Sequence, residues 1–298
     1  MERRQLLAAT AALAAWGGAT AQPVQAAGAR QPGAGMTVEA VQMPAWTVRE
    51  GKRRPLSPGD TVSTAQEVET AASAGLVLRM AEGSLVRLGE KTRLGVQRLE
   101  VSDADGRTAV RSELKLFDGF FRFATSAVAK VAGQREVDVS LRTATIGIRG
   151  TDFWSMTDAE HDAACLFEGN IALATRDQGA LTLDKPTAFW ARFFNQPVKP
   201  VGNATPDELA KFLTSTELSP GKGVAVMGGR WRVVAAAAGS DTAAQALATR
   251  LREAGYPAQV RAKEAQGKKV HEVRINGFAT RDDAQAILDK IAAVDGVR

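Results

Sequence analysis

The sequence holds one cysteine and two histidines among its 298 residues. A single thiol, Cys165, excludes an intramolecular disulfide framework, though not export, since larger exported domains can do without disulfides. A zinc site needs three or four ligands. His161 and Cys165 fall together in HDAAC, but no second cluster accompanies them. Cys165 opens the apolar run Cys-Leu-Phe and reads as a small buried hydrophobe, not an activated nucleophile. His271 shares strand parity with Val273 and Ile275 and reads as an edge-of-core residue. With no catalytic constellation and no cofactor motif, the chain is expected to be no enzyme and to need no cofactor. Long apolar runs are also scarce. A membrane-spanning helix needs about 20 residues, and the apolar run at 6–16 is shorter. Charge of neither sign dominates strongly: 38 Lys and Arg against 33 Asp and Glu leave a net +5. That balance points to anionic partners without naming one.

What is present begins with an export signal at 1–26. Arg3 and Arg4 precede the apolar run, and small residues follow, with cleavage expected after Ala21 or Ala26. Arg3-Arg4-Gln5-Leu6-Leu7 also suits a twin-arginine route, so the Sec and twin-arginine pathways both stay open. The mature protein is expected in the periplasm, spanning no membrane after cleavage. Residues 27–37, rich in Gly, Ala and Pro, read as a flexible tether.

From 38 to 183 the signals are β throughout. The acid–Gly pairs Glu82-Gly83, Asp105-Gly106, Asp118-Gly119 and Glu168-Gly169 read as turns between short strands. Such a series argues for a sandwich or a solenoid-like roll. Leu116, Phe117, Phe120, Phe121 and Phe123 read as core, with Arg122 facing outward. In RTATIGIRGTDFW (142–154), Ala144, Ile146 and Ile148 alternate with Thr143, Thr145 and Gly147, a strand with one buried face. Arg149-Gly150-Thr151 then makes a turn or bulge. This stretch resembles the hallmark of the FecR domain family, a strand ending in RGT-x-F. PAWTVREGKRRPLSPGD, AEGSLVRLGEKTRL and CLFEGNIAL resemble the same family in the same order, over about 38–175. The resemblance implies an all-β domain with an envelope protein as its partner.

Residues 184–229 read as a Pro- and Gly-containing linker. Its aromatic cluster at 189–194 is expected to be pinned to the β domain. A short helix is expected over 206–216, with Thr205 as N-cap, Pro206 at its first position and Leu209, Phe212 and Leu213 on its apolar stripe. Residues 217–229 read as the flexible link between domains.

Residues 230–298 read as a second unit. A strand at 231–237 leads to a helix bearing Ala244, Leu247, Ala248 and Leu251, closed by Gly255. Strands at 258–263 and 269–275 meet at Gln266-Gly267. Thr280 to Asp283 open a second helix bearing Ala284, Ile287, Leu288 and Ile291. A last short strand is expected at 296–298, completing a ferredoxin-like α+β order, βαββαβ. RWRVVAAAAGS, ALATRLREAGYPAQV and VRINGFATRDDAQAIL resemble the SPOR domain. That resemblance implies binding to peptidoglycan, specifically to glycan strands stripped of stem peptides. Val234 stands where the family often carries Gln.

Strand parity puts Val233, Val260, Val273 and Ile275 toward the helices. It leaves Arg232, Val234, Gln259, Arg261, Lys263, Arg274 and Asn276 on the open face as the candidate glycan-binding set, interrupted in sign by Glu272. Arg pairs well with the lactyl carboxylate of each muramic acid. An RNA-binding sheet of this order would display stacking aromatics, and none stands here, which sets nucleic acid aside. The function expected is a non-catalytic exported protein that binds glycan through its C-terminal domain, with a sensory or scaffolding FecR-like domain. The alternative is a FecR-type transducer that regulates a sigma factor.

Overall fold

The computed structural model describes residues 35–104, 107–127, 135–265, 268–294 and 296–297. The stretch read as an export signal, most of that read as a tether, Asp105-Gly106 and Gln266-Gly267 lie outside them. The β-rich module runs through β1 (Gly35–Gln42), β2 (Ala45–Arg49), β3 (Lys52–Pro55), β4 (Thr61–Ser63), β5 (Gln66–Thr70), β6 (Gly75–Arg79) and β7 (Leu85–Leu88). It continues through β8 (Arg93–Ala104), β9 (Arg107–Ala124), β10 (Arg135–Ser140), β11 (Ala144–Thr157), β12 (His161–Thr175), β13 (Gly179–Leu183), β14 (Ala188–Phe193) and β15 (Gly202–Asn203). After α1 (Pro206–Thr214) and β16 (Val224–Val226) come β17 (Trp231–Ala238), α2 (Asp241–Glu253), β18 (Gln259–Ala265), β19 (Lys268–Phe278) and α3 (Arg281–Ile291). Residues 35–37 therefore belong to a strand and not to the tether. Met36 there is fully buried, and Thr61 fills the space beside Gly35 where a side chain would sit.

The first module is an antiparallel roll closed by one parallel pair, β9 with β10. Its long strands bend at glycines. Gly119 and Gly169 carry positive φ of 95° and 83° and lie inside β9 and β12, so two of the expected turns are bulges within strands. The register of β9 slips at Phe117, two residues before Gly119, and parity switches across this bend. Leu114 and Leu116 point inward before it, Phe121 and Phe123 after it, and Phe117 and Phe120 stay half-buried on the outer side. In β11 the register slips between Arg149 and Asp152, around Gly150 at φ 69°. Before the slip β11 pairs with β10, and after it with β9. Gly169 faces this slip, where an added Cβ would lie 2.7 Å from the Gly150 carbonyl oxygen.

The residues past the bulge fasten the segment that follows the roll. Asp152 accepts two hydrogen bonds from Arg122, at 2.9 and 2.8 Å, and Arg122 also donates to Glu217 at 3.0 Å. These partners raise the Arg122 guanidinium above its ordinary value, the bond to Asp152 foremost and against burial. Trp154 donates through Nε1 to Ser215 Oγ at 2.9 Å and stacks on Phe212 at 4.0 Å. Phe189 of β14 stacks on the same Phe212 at 5.5 Å. The aromatic stretch is thus strand β14, paired with β12, and α1 sits on it under a complete Thr205–Glu208 capping box.

Residues 217–229 are not a free link. β16 pairs with β1 over Val224 to Val226, and its Ala225 pairs with Phe278 of β19. Asp283, fully buried in the first turn of α3, accepts from the backbone N–H of Gly221, Gly223 and Val224 at 2.8, 3.1 and 2.9 Å. Gly223 turns at φ 98° with Ile287 filling its side-chain space. The positive-φ glycines that read as flexibility are what let the amides of Gly221, Gly223 and Val224 converge on one carboxylate.

In the C-terminal module β19 is central, between β17 and β18. Val233, Ala235, Val273 and Ile275 face Ala244, Leu247, Ala248 and Leu251 of α2 and Ala284, Ile287 and Ile291 of α3, all buried. Gly296 and Val297 form a turn and coil rather than the closing strand expected there, and Arg298 lies outside the described residues. The order among the described residues is βαββα. β17 pairs there with β19 alone, which leaves its other edge open.

Candidate functional site

The helices cover one face of the β17–β19–β18 sheet, so strand alternation leaves the other face to solvent. Cross-strand register places Arg232 opposite Asn276, and Val234 opposite Arg274, whose other neighbour is Gln259. Arg261 stands opposite Glu272. Arg232, Val234, Gln259, Arg261, Lys263 and Asn276 are all exposed. Ala235 stays inward with Val233, and the register slip between Val234 and Ala236 sets Ala236 opposite the inward Val273 and brings Ala237 to the open face opposite Glu272. Six of the seven residues read from parity therefore form one exposed surface, with Arg274 half-buried at its centre.

The charge on that surface differs from the sequence reading. Glu272 does more than interrupt a basic patch, because it sits at the middle of it and draws in its neighbours. Arg274 donates Nε to Glu272 at 2.6 Å and pairs with it again through Nη2, and Lys263 Nζ lies 3.5 Å away. The Arg274 hydrogen bond holds the Glu272 carboxyl below its usual range, against the cost of burial and with help from Lys263. The cations with no ion pair on this face, among the described residues, are Arg232 and Arg261. Periodicity finds which residues share a face but not which pair laterally, because pairing depends on the register of a strand distant in sequence.

The remaining chemistry-bearing residues are accounted for by packing. Cys165 is fully buried, and burial pushes its thiol up to about 12. His161 stacks on Phe193 at 4.7 Å, and His271 Nδ1 lies 3.2 Å from Asp241 at the start of α2. The buried Asp162 accepts from Thr143 N–H, Thr143 Oγ1 and Thr157 Oγ1 at 2.6, 2.7 and 2.5 Å, tying two hairpin ends together.

The SPOR domain family matches residues 228–298, the span of this open sheet, and the FecR protein family matches residues 66–172, from β5 into β12. The chain carries a FecR domain followed by a SPOR domain. Both are binding or signalling types of domain. The FecR match begins after β4, so β1 to β4, which pair with the matched strands and with β16, extend the module beyond it. The chain resembles two crystal structures from Parabacteroides distasonis ATCC 8503, each of a protein assigned as an anti-sigma factor. One is 15% identical with a TM-score of 0.38, covering 49% of this chain and 64% of that one, so this chain spans less than two thirds of it. The other is 10% identical with a TM-score of 0.40, covering 68% of this chain and 96% of that one. No curated protein matches the chain. No helix among the described residues is long and apolar enough to cross a membrane.

Proposed function

We propose that this protein binds peptidoglycan glycan strands through the open sheet face of its SPOR domain, and that the FecR domain is the scaffold that presents that face. The observation that carries the reading is the exposed set Arg232, Asn276, Gln259 and Arg261 on a solvent-facing sheet within the SPOR match. Guanidinium groups donate paired hydrogen bonds to carboxylates, and a stripped glycan keeps a lactyl carboxylate on every second sugar. The Asn and Gln amides supply both a donor and an acceptor for N-acetyl and hydroxyl groups. Val234, where many SPOR domains have Gln, presents only methyl groups, so affinity is modest. The protein acts in the periplasm, delivered there by the signal at 1–26. Scaffolding is favoured over independent sensing because β16 joins the sheets of the two domains and Asp283 fastens them.

The test is a full-length variant with Arg232→Ala and Arg261→Ala. Both side chains are exposed and point away from the helices, so folding stays intact. Co-sedimentation with amidase-treated sacculi should weaken ten-fold or more, since a charged hydrogen bond contributes about 1.5–3 kcal/mol and ~1.4 kcal/mol is one decade. Sedimentation equal to the parent's would show that the face is wrong.

A further inference from the structure

A cleft of about 530 Å³ lies between the SPOR domain and the N-terminal module. Arg54, Ser57 and Asp60, from the end of β3 and the turn after it, line one wall, and Arg252, Pro257 and Gln259 line the other. Gln259 belongs to two surfaces at once. It borders this cleft, and it is the cross-strand neighbour of Arg274 on the open face. The cleft is therefore the continuation of that face past the start of β18.

Its walls are held in place. Gly255 turns at φ 90° directly against the N-terminal module, where an added Cβ would lie 2.6 Å from Pro44 Cβ. Arg252 Nε donates to the Ala258 carbonyl at 2.8 Å, which fixes the guanidinium at the rim and leaves its terminal nitrogens for a ligand. Asp60 Oδ2 accepts from Ser57 N–H at 2.9 Å, so the turn is closed on itself. Arg54 sits 3.5 Å from the same oxygen with its side chain 61% exposed, a loose pair that a ligand carboxylate can compete for. The lining thus offers two guanidinium groups, one carboxylate, one amide and one hydroxyl. That mixture suits a polymer whose sugars carry hydroxyl and amide groups throughout and a carboxylate at intervals.

Size also favours an extended site. Along β18 the open face runs only from Lys263 through Arg261 to Gln259, about 13 Å at about 3.3 Å per residue. A strand of several sugars laid along β18 outruns it, and past Gln259 it meets this cleft. We infer that the turn between β3 and β4 is a second subsite for the same glycan strand, with Arg54 and Arg252 receiving the next carboxylate-bearing sugar beyond the sheet. The inference rests on the glycan reading above and adds that residues outside the SPOR match contribute to binding.

The test compares the full-length parent with Arg54→Glu and with Arg49→Glu, an exposed change of equal charge on β2 outside the cleft. The probes are amidase-treated sacculi and a soluble disaccharide fragment of the same glycan. Arg54→Glu is expected to weaken binding to sacculi about five-fold or more while leaving disaccharide binding and the melting temperature unchanged, and Arg49→Glu is expected to match the parent. Equal sedimentation of Arg54→Glu and parent, or equal weakening by the two variants, would overturn the subsite and leave the sheet-face reading standing. A parent that fails to sediment would overturn both.

Discussion

Glu272 sets the electrostatics of the open face more than any single arginine does. While it holds Arg274 and attracts Lys263, neither cation is free for a ligand carboxylate. Glu272→Gln keeps the shape and removes the competing charge, so affinity for stripped glycan should rise. Lys263 is the exposed partner of Glu272, and an ion pair of that kind contributes about 0.2–1 kcal/mol, so freeing Lys263 alone sets the gain at roughly 1.4- to five-fold by titration. A loss of affinity would mean that Glu272 itself meets the sugar. Asp283 has the opposite role, tying backbone instead of binding ligand. Burial works against its charge, but the Thr280 hydroxyl and the amides of Val224, Gly223 and Gly221 outweigh it and hold its pKa low. A depressed folded value stabilises fully above the ordinary carboxylate value of about 3.9 and is lost as the pH falls below that toward the folded value. Asp283→Ala leaves three amides without their acceptor and should cost about 3 kcal/mol near neutral pH. Acid melting curves should show the parent converging on the variant at low pH; a constant gap across pH would contradict this assignment. Both residues were visible in the sequence, Glu272 as an interruption and Asp283 as part of a helix start. Their partners were not, because each is brought in by a segment that strand or helix periodicity cannot reach.

At the level of elements, periodicity located the two C-terminal helices, the three strands they cover and the helix after Thr205. These are the pieces whose pattern is local. It misjudged glycine. Gly119 and Gly169 read as turn residues because an acid–Gly pair favours turns, yet both bend a strand that continues through them. Residues 217–229 read as a flexible link for the same reason, and there the glycines make room for Asp283 and Ile287. Limited proteolysis distinguishes the two readings of that segment. With β16 paired to β1 and Ala225 fully buried, native protein should resist cleavage over 221–226. Early cutting there, releasing a folded C-terminal fragment, would mean that the strand is not formed in solution.

Across the whole molecule, the RGTDFW stretch serves the architecture. Its bulge bends β11 from one partner to another, Asp152 holds Arg122, and Trp154 seats α1, from which the chain passes through β16 into the SPOR sheet. The two domain types were legible as resemblances of sequence, while the way one is built onto the other came only with the structure, since β1 and β16 pair across more than 180 positions of chain. The glycan-binding face proposed above is mounted on the rest of the chain in this way, so it should recognise its polymer as the whole protein. The most direct measurement is co-sedimentation of the full-length mature protein with purified sacculi, before and after amidase removes the stem peptides. Sedimentation should increase with stem-peptide removal and decrease as salt is raised, because the charged face is solvent-exposed and screened. Protein that stays in the supernatant with both preparations at low salt would contradict glycan binding by this face.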